Sequence, residues 1–367
     1  MDIKCNVRQL RDSLAVAAAA TGGKGSPIFT NVMATVVRGG IELYATDNES
    51  SVMIFVDAIG GDVGTSVLLP PRRMLAILTE LTADDVVLTV TDNGIRVKAS
   101  GADFRLANES AAEFPKMARF DGAEFYRIPG AVLRKMVHRT SYASDVLSTR
   151  YALGGVLFDF EGDNLSLAAT DSRRLSVCET LVTQVGLTED IKGVVPSKAL
   201  RLLDKLPDSD IDVLMTDRAI HFRAEGFECS SRLVEGRFPR YRDVIPGSKG
   251  SVEVVVLAGA AASAVRQSQV VTTEESRSVS FTVEENMIVI ESESSDVGSS
   301  KVELTVSAMK SHRDLTVMLD PNYVLDFLKT LRPDEEFHWR FIDSNTAVVM
   351  TDGDSYTYVT MPVSADG

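Results

Sequence analysis

Three stretches of the chain share one hydrophobic pattern: a short apolar run, a proline, and then apolar residues at helical spacing. They are Val67-Leu68-Leu69-Pro70-Pro71-Arg72-Arg73-Met74-Leu75-Ala76-Ile77-Leu78, Gly193-Val194-Val195-Pro196-Ser197-Lys198-Ala199-Leu200-Arg201-Leu202-Leu203 and Val317-Met318-Leu319-Asp320-Pro321-Asn322-Tyr323-Val324-Leu325-Asp326-Phe327-Leu328. Each predicts a strand leading into a helix, because proline suits the first helical turn, where its missing N–H costs nothing. Pro71, Pro196 and Pro321 are 125 residues apart at each step. A hairpin-like stretch follows each: residues 86–99 around Asn93-Gly94, a strong two-residue turn signal, then 211–223 and 337–350. Each repeat also opens on a predicted helix, at 7–20, 130–143 and 257–269.

Other landmarks keep nearly the same step. Ala45-Thr46-Asp47 recurs as Ala169-Thr170-Asp171, and Phe114-Pro115 recurs as Phe238-Pro239 and more loosely as Met361-Pro362. Several independent features holding one period argue for repeated domains rather than chance. One unit reads helix, strands, helix, strands, so the fold class is α+β. The expected domains are 1–121, 122–247 and 248–367.

A chain of 367 residues accommodates two or three cores. No run of some eighteen apolar residues implies a membrane span. The start, Met1-Asp2-Ile3-Lys4-Cys5, lacks the pattern of a secretory signal. Cys5, Cys178 and Cys229 are scattered and odd in number, which fits a reducing cytoplasm better than a disulfide framework. Net charge is −14, and this argues against a protein that grips nucleic acid by affinity, since such affinity comes from releasing counterions at phosphates. The total is only an average, however, and a local basic surface can sit inside an acidic shell.

Helical projection locates such a surface. In 130–143, Val132, Leu133, Met136 and Val137 fall on one face, with Arg134, Lys135, His138 and Arg139 opposite. After Pro196, the stripe Ala199, Leu202, Leu203, Leu206 leaves Lys198, Arg201 and Lys205 outside it. The first helix carries Arg8 and Arg11, and the second opens on Arg72 and Arg73. The third repeat is poorer, with Arg266 on one helix and Lys329 and Arg332 on the other. A solvated face explains any one of these helices; four in so acidic a chain point to a surface that attracts phosphate.

Catalytic chemistry is not called for. Thr21-Gly22-Gly23-Lys24-Gly25-Ser26 resembles a phosphate loop only superficially, because Ala18 and Gly25 stand where that motif needs glycine and Ser or Thr. His138, His221, His312 and His338 have no metal-ligand spacing, so neither metal nor cofactor is expected. Acidic pairs such as Asp84-Asp85 and Glu335-Glu336 lie beside turn signals.

Four stretches carry a family resemblance. They are Arg150-Tyr151-Ala152-Leu153-Gly154-Gly155-Val156-Leu157-Phe158, Ala169-Thr170-Asp171-Ser172-Arg173-Arg174-Leu175, Val234-Glu235-Gly236-Arg237-Phe238-Pro239-Arg240-Tyr241-Arg242 and Tyr358-Val359-Thr360-Met361-Pro362-Val363. Together they resemble the bacterial DNA sliding clamps, beta subunits of replicative polymerase III, along essentially the whole chain. The resemblance implies three clamp domains, each with two helices packed on antiparallel sheets. It implies a head-to-tail homodimer of six domains that rings double-stranded DNA without sequence preference. The implied partners are the replicative DNA polymerase alpha subunit, the clamp loader and other proteins bearing a clamp-binding motif.

Site residues follow from the same resemblance. Lys24 matches a DNA-contacting position of the family; Arg73 and Lys198, which head their proline helices, and Arg134, Lys135 and Arg139, which the helical projection places on an outer face, are further candidates. A hydrophobic peptide pocket is implied at Leu153, Thr170, Ser172, Arg173, Arg174, Leu175, Pro239, Val244, Tyr323, Val359, Met361 and Val363. Phe104 and Leu106 match one side of the dimer interface, and Val270 and Val271 the other. The chain departs from the family pattern at Ser172, a glycine there, at Ala152, an aromatic, and at Asp243, often basic. Its tail, Ser364-Ala365-Asp366-Gly367, lacks the usual arginine, and the acidic complement at the interface is thin around 298–301, with Glu274 and Glu275 as substitutes. Two other classes stay open at this point: a monomeric peptide-binding scaffold, and an enzyme whose site assembles from distant residues.

Overall fold

The computed structural model describes residues 2–22, 26–91, 94–107, 110–116, 119–146, 152–186, 189–204, 208–273, 278–310 and 313–363. Lys24, Asn93, Arg150, Tyr151, Lys205, Leu206, Glu274, Glu275, His312 and the tail from Ser364 lie outside the described residues. The fold is α+β, with six α-helices among the described residues and antiparallel strand pairing throughout. The helices are α1 (Val7–Ala19), α2 (Pro71–Glu80), α3 (Gly130–Thr140), α4 (Ser197–Leu203), α5 (Ala258–Ser268) and α6 (Pro321–Leu328). They occupy the six places that the repeat predicts.

Local chemistry explains these helices. α1 buries Val7, Leu10, Leu14 and Ala17 on one stripe, and the Asn6 side chain caps it by accepting from the Gln9 N–H at 3.0 Å. Asp320 caps α6 from the Asn322 N–H at 2.8 Å, with Pro321 in the first turn. α4 differs from the expectation by one position. Pro196 ends the preceding strand and stands at the N-cap, not inside the first turn. Proline tolerates both places because neither requires its N–H.

The chain forms two compact units, Met1–Arg134 with Val182–Val234, and Lys135–Leu181 with Glu235–Gly367. Each combines strands from two sequence repeats. In the first unit a thirteen-stranded sheet is organised around Ser50–Gly60. That strand pairs along its length with Gly40–Thr46, at its start with Phe227–Arg232, and at its end with Asp2–Asn6. The sheet ends on Ala102–Leu106. In the second unit the order is Gly155–Glu161, Asn164–Thr170, Arg174–Leu181, Tyr356–Thr360, Val348–Asp352, Glu336–Phe341, Val252–Leu257, Ala308–Lys310. A four-stranded sheet beside it begins on Gly298–Thr305 and ends on Leu315–Leu319. Its core is aromatic: buried Trp339 meets Phe281 at 5.3 Å between ring centroids, and Phe327 stacks on Tyr356 at 5.2 Å.

α3 corrects one expectation. Leu133, Met136 and Val137 are buried as predicted, but so is Arg139. Arg139 follows Met136 by one helical turn and so borders the apolar stripe. Its Nη2 lies 2.5 Å from Asp352 Oδ2, and its guanidinium sits 4.5 Å from the Tyr356 ring centroid. Arg139 is therefore a structural cation and is withdrawn from the DNA-contacting set. Removing one partner of a buried ion pair strands the other in a poorly solvated place. Arg139→Ala is expected to lower stability by about 3 kcal/mol, a loss moderated because Asp352 is partly exposed, measured by urea denaturation. A shift near zero would place Arg139 outside the core.

Candidate functional site

In the first unit α1 packs against α2 and also touches α4, so three helices gather together. They present Arg8, Arg72, Arg73, Lys198 and Arg201 to solvent, while Arg11 is half-buried and pairs with Asp12 at 3.0 Å. Lys135 and His138 are exposed on α3, whereas Arg134 is half-buried and paired with Asp208. In the second unit Lys329 pairs with Asp326 at 2.8 Å and Arg332 with Glu335 at 3.2 Å. Arg73, like Arg8, Arg72, Lys135 and Arg201, is exposed and makes no ion pair among the described residues.

Lys198 is already engaged, through a hydrogen-bonded ion pair with the buried carboxylate of Asp47. Gly22, two positions before Lys24 in the sequence, lies against the same residue. A side-chain carbon added at Gly22 would come within 2.5 Å of Asp47 Cβ, so the approach requires glycine. Lys198 and Gly22 thus share one neighbour.

Asp47 belongs to a turn that the chain builds twice. Thr46 Oγ1 donates to the Ser50 carbonyl at 2.8 Å and accepts from the Asn48 N–H at 3.0 Å. Asp47 Oδ1 accepts from the Glu49 and Ser50 N–H groups at 3.0 and 2.7 Å. The second copy repeats each bond. Thr170 Oγ1 donates to the Arg174 carbonyl at 2.6 Å and accepts from the Ser172 N–H at 3.1 Å. Asp171 Oδ1 accepts from the Arg173 and Arg174 N–H groups, each at 3.0 Å. Asn48 and Ser172 both have positive φ, 72° and 74°. That explains the glycine expected at Ser172: the turn needs the left-handed region, which serine enters at some cost.

Sheet register then builds a site on each copy. At the second, Thr170, Leu175 and Val359 lie side by side on three neighbouring strands. Beyond them the Met361 N–H donates to the Arg173 carbonyl at 2.8 Å, and the Val363 N–H to that of Met318 at 2.8 Å. Arg174 spans outward to α6, its guanidinium 4.5 Å from the Tyr323 ring centroid. At the first copy the matching row is Thr46, Ser51 and Ser230, and the two serine hydroxyls bond to each other at 2.8 Å. Lys198 takes the place of Tyr323, two residues after the helix proline, and Arg232 takes that of Met361, its N–H donating to Glu49 at 2.9 Å. One scaffold is apolar and the other polar.

Exposure sorts the expected pocket residues. Leu153, Leu175 and Val359 are core, and Thr170 is buried with them. Arg173, Pro239, Val244, Met361 and Val363 are exposed, with Val244 at 59% and Met361 at 47%. Tyr323 and Arg174 are intermediate. Pro239 and Val244 belong to a separate segment, which Arg242 ties to Glu161 at 3.1 Å and to Ser166 at 3.3 Å. Asp326 and Tyr142, which bind Arg174, escaped the sequence reading. Asp326 was discoverable one helical turn beyond Tyr323, whereas Tyr142 gave no signal.

Ala102–Leu106 and Gly298–Thr305 are among the strands that end their sheets. Phe104 is exposed and Leu106 half-buried on the first. In the second unit Val270, 76% exposed, and half-buried Val271 follow α5. A groove of about 470 Å³ runs between α5 and residues 302–307, lined by Leu257, Ala260, Ala264 and Leu304.

Family models described as the N-terminal, central and C-terminal domains of the DNA polymerase III beta subunit match residues 1–118, 127–240 and 242–364. A beta sliding clamp of Vibrio cholerae is 29% identical over 351 residues, covering 93% of this chain and 94% of that one. That of Escherichia coli is 26% identical over 350 residues, with the same coverage. Among solved structures, the polymerase III beta subunit of Thermotoga maritima superposes with a TM-score of 0.89 at 23% identity, covering 99% of both chains. The beta subunit from Streptococcus pyogenes gives 0.90 at 20% identity, covering 99% of this chain and 100% of that one.

The first turn has a pH signature. Burial alone would raise the Asp47 carboxyl, but the Lys198 ammonium, the Ser50 and Glu49 N–H groups and the Ser50 hydroxyl outweigh it and hold the group below its ordinary value. A carboxyl that binds protons more weakly when folded adds stability above its unfolded pKa of about 3.9, and loses it as pH falls through the folded pKa. Asp47→Asn is expected to lower stability at neutral pH and to flatten the acid decline below about pH 4, read from urea midpoints across a pH series. An unaltered acid limb would mean the pair contributes nothing.

Proposed function

The chain belongs to the DNA polymerase III beta subunit family, and on that premise we propose that two copies close head to tail into a ring that duplex DNA threads. As a beta subunit it serves replication as a processivity factor and is a non-catalytic accessory of the polymerase. We set its three clamp domains at 1–121, 122–247 and 248–367 and its place of work in the cytoplasm.

The observation that carries the ring is the gathering of exposed Arg8, Arg72, Arg73 and Arg201 on α1, α2 and α4 in a chain of net charge −14. A threaded ring needs no tight grip. Weak phosphate contacts from a basic lining exchange through water and ions, so the ring slides, while an acidic exterior repels other strands. Lys24, Arg73 and Lys135 lead the DNA-facing set, with Lys198 and Arg134 tempered by their ion pairs. Closure joins Ala102–Leu106 of one copy to Gly298–Thr305 of the other. Each ends a sheet, and Phe104 and Leu106 would meet Val270 and Val271. Such a heterologous contact must close by rotation to avoid an open filament.

The client site is the apolar copy of the repeated turn. Exposed Met361, Val363 and Val244 form its rim above buried Leu175 and Val359, with Tyr323 and Thr170 as polar anchors. Short hydrophobic peptides of the polymerase alpha subunit, the clamp loader and other clients would bind there with modest, interchangeable affinity. Tethering then gives the polymerase a high effective concentration at its template.

Once loaded, the protein is expected to stay on nicked circular DNA and to run off after linearisation, as gel filtration of the complex would show. Equal retention on both forms would rule out threading. Met361→Ala with Val363→Ala should cut polymerase stimulation in primer extension at least tenfold with little change in melting temperature. Leu175→Ala is a poorer test, since truncating a buried leucine costs about 2–5 kcal/mol of fold stability. Full stimulation by the double variant would move the client site elsewhere.

A further inference from the structure

Arg174, beside the proposed client site, is a nearly buried cation. Arg174 is 11% exposed, and each guanidinium nitrogen has an acceptor on a different segment. Nε donates to Asp171 Oδ2 in the turn at 2.9 Å, Nη1 to Asp326 Oδ2 on α6 at 2.7 Å, and Nη2 to the Tyr142 carbonyl beyond α3 at 2.9 Å. Its plane also lies 4.5 Å from the Tyr323 centroid and 5.5 Å from that of Tyr142.

We propose that Arg174 is a positioning residue, with Asp326 as its essential partner, which fixes the distance between α6 and the 170–174 turn before any peptide arrives. The proposal rests on the client site described above. Three of its five N–H donors are held within the protein and the side chain is only 11% exposed, so its main contacts are to the frame of the site. It sets where Tyr323 and the Arg173–Met361 contact stand relative to each other, and these line the site. A jaw held in one geometry needs no ordering when the peptide binds, and affinity rises by the ordering avoided. Three acceptors in different directions demand the planar fork of arginine. Lysine, a single point charge, cannot reach all three. The polar copy of the turn has Ser50 at this place and no such bridge, its helix being held instead by Lys198 to Asp47.

The direction of the Asp326 effect separates positioning from direct contact. If Arg174 touched the peptide, Asp326→Asn would release a donor and leave binding unchanged or tighter. If it positions, the same change loosens α6. The test is fluorescence anisotropy with a labelled synthetic pentapeptide carrying leucine and phenylalanine anchors, on the full-length protein. Arg174→Lys and Asp326→Asn are each expected to weaken binding about tenfold, and the double variant no further than the weaker single, because both remove one bridge. Without peptide, amide exchange across residues 321–328 should quicken in both variants while Val252–Leu257 keeps its protection.

Unchanged or tighter binding by Asp326→Asn, with Met361→Ala still weakening it, overturns the positioning role alone. No binding by the wild-type protein overturns the client site and this role with it. Unchanged exchange at 321–328 in both variants overturns the bridge independently of any peptide.

Discussion

Backbone hydrogen bonds that pass from one sequence repeat into the next are what the rest of this structure depends on. Ser50–Gly60 of the first repeat pairs with Phe227–Arg232 of the second, and Arg174–Leu181 of the second pairs with Tyr356–Thr360 of the third. Consecutive repeats therefore cannot part without breaking a ladder. The same pairing carries the residues just beyond each strand, Arg232 and Met361, to the mouth of an Ala-Thr-Asp turn. A site is thus a consequence of sheet continuity, made once at each crossing.

Side chains decide what each crossing can do. Ser51 and Ser230 satisfy one another, and Lys198 satisfies Asp47, so the first copy is chemically closed. Leu175 and Val359 occupy the matching pair at the second, beside exposed Met361 and the face of Tyr323. The turn itself, with its threonine and aspartate bonds, is common to both and confers no specificity. The second crossing is accordingly apolar and the first polar, although the backbone supplies the same frame to both.

Charge follows a similar division between local and global. A net charge of −14 opposes tight nucleic-acid binding, while exposed arginines on α1, α2 and α4 favour weak contact. The proposed ring would reconcile the two, since sliding requires that no single phosphate contact be strong.

The sequence by itself determined the period, the six helices, the hairpins and the fold class. These are written in short-range periodicity and in proline and capping residues, which act through neighbours along the chain. It also marked Ala169-Thr170-Asp171 as a repeated landmark, though not as a turn. It misjudged Arg139, because projection around a helix marks which side a residue takes but not how far burial extends past the apolar stripe. It could not tell that Lys198 is bound to Asp47, or that Leu175 and Val359 are buried while Met361 is exposed. Those facts depend on strand register and on partners more than a hundred residues away, such as Asp352 for Arg139 and Asp326 for Arg174. Only tertiary structure fixes register, since shifting a strand by one residue turns every side chain to the opposite face.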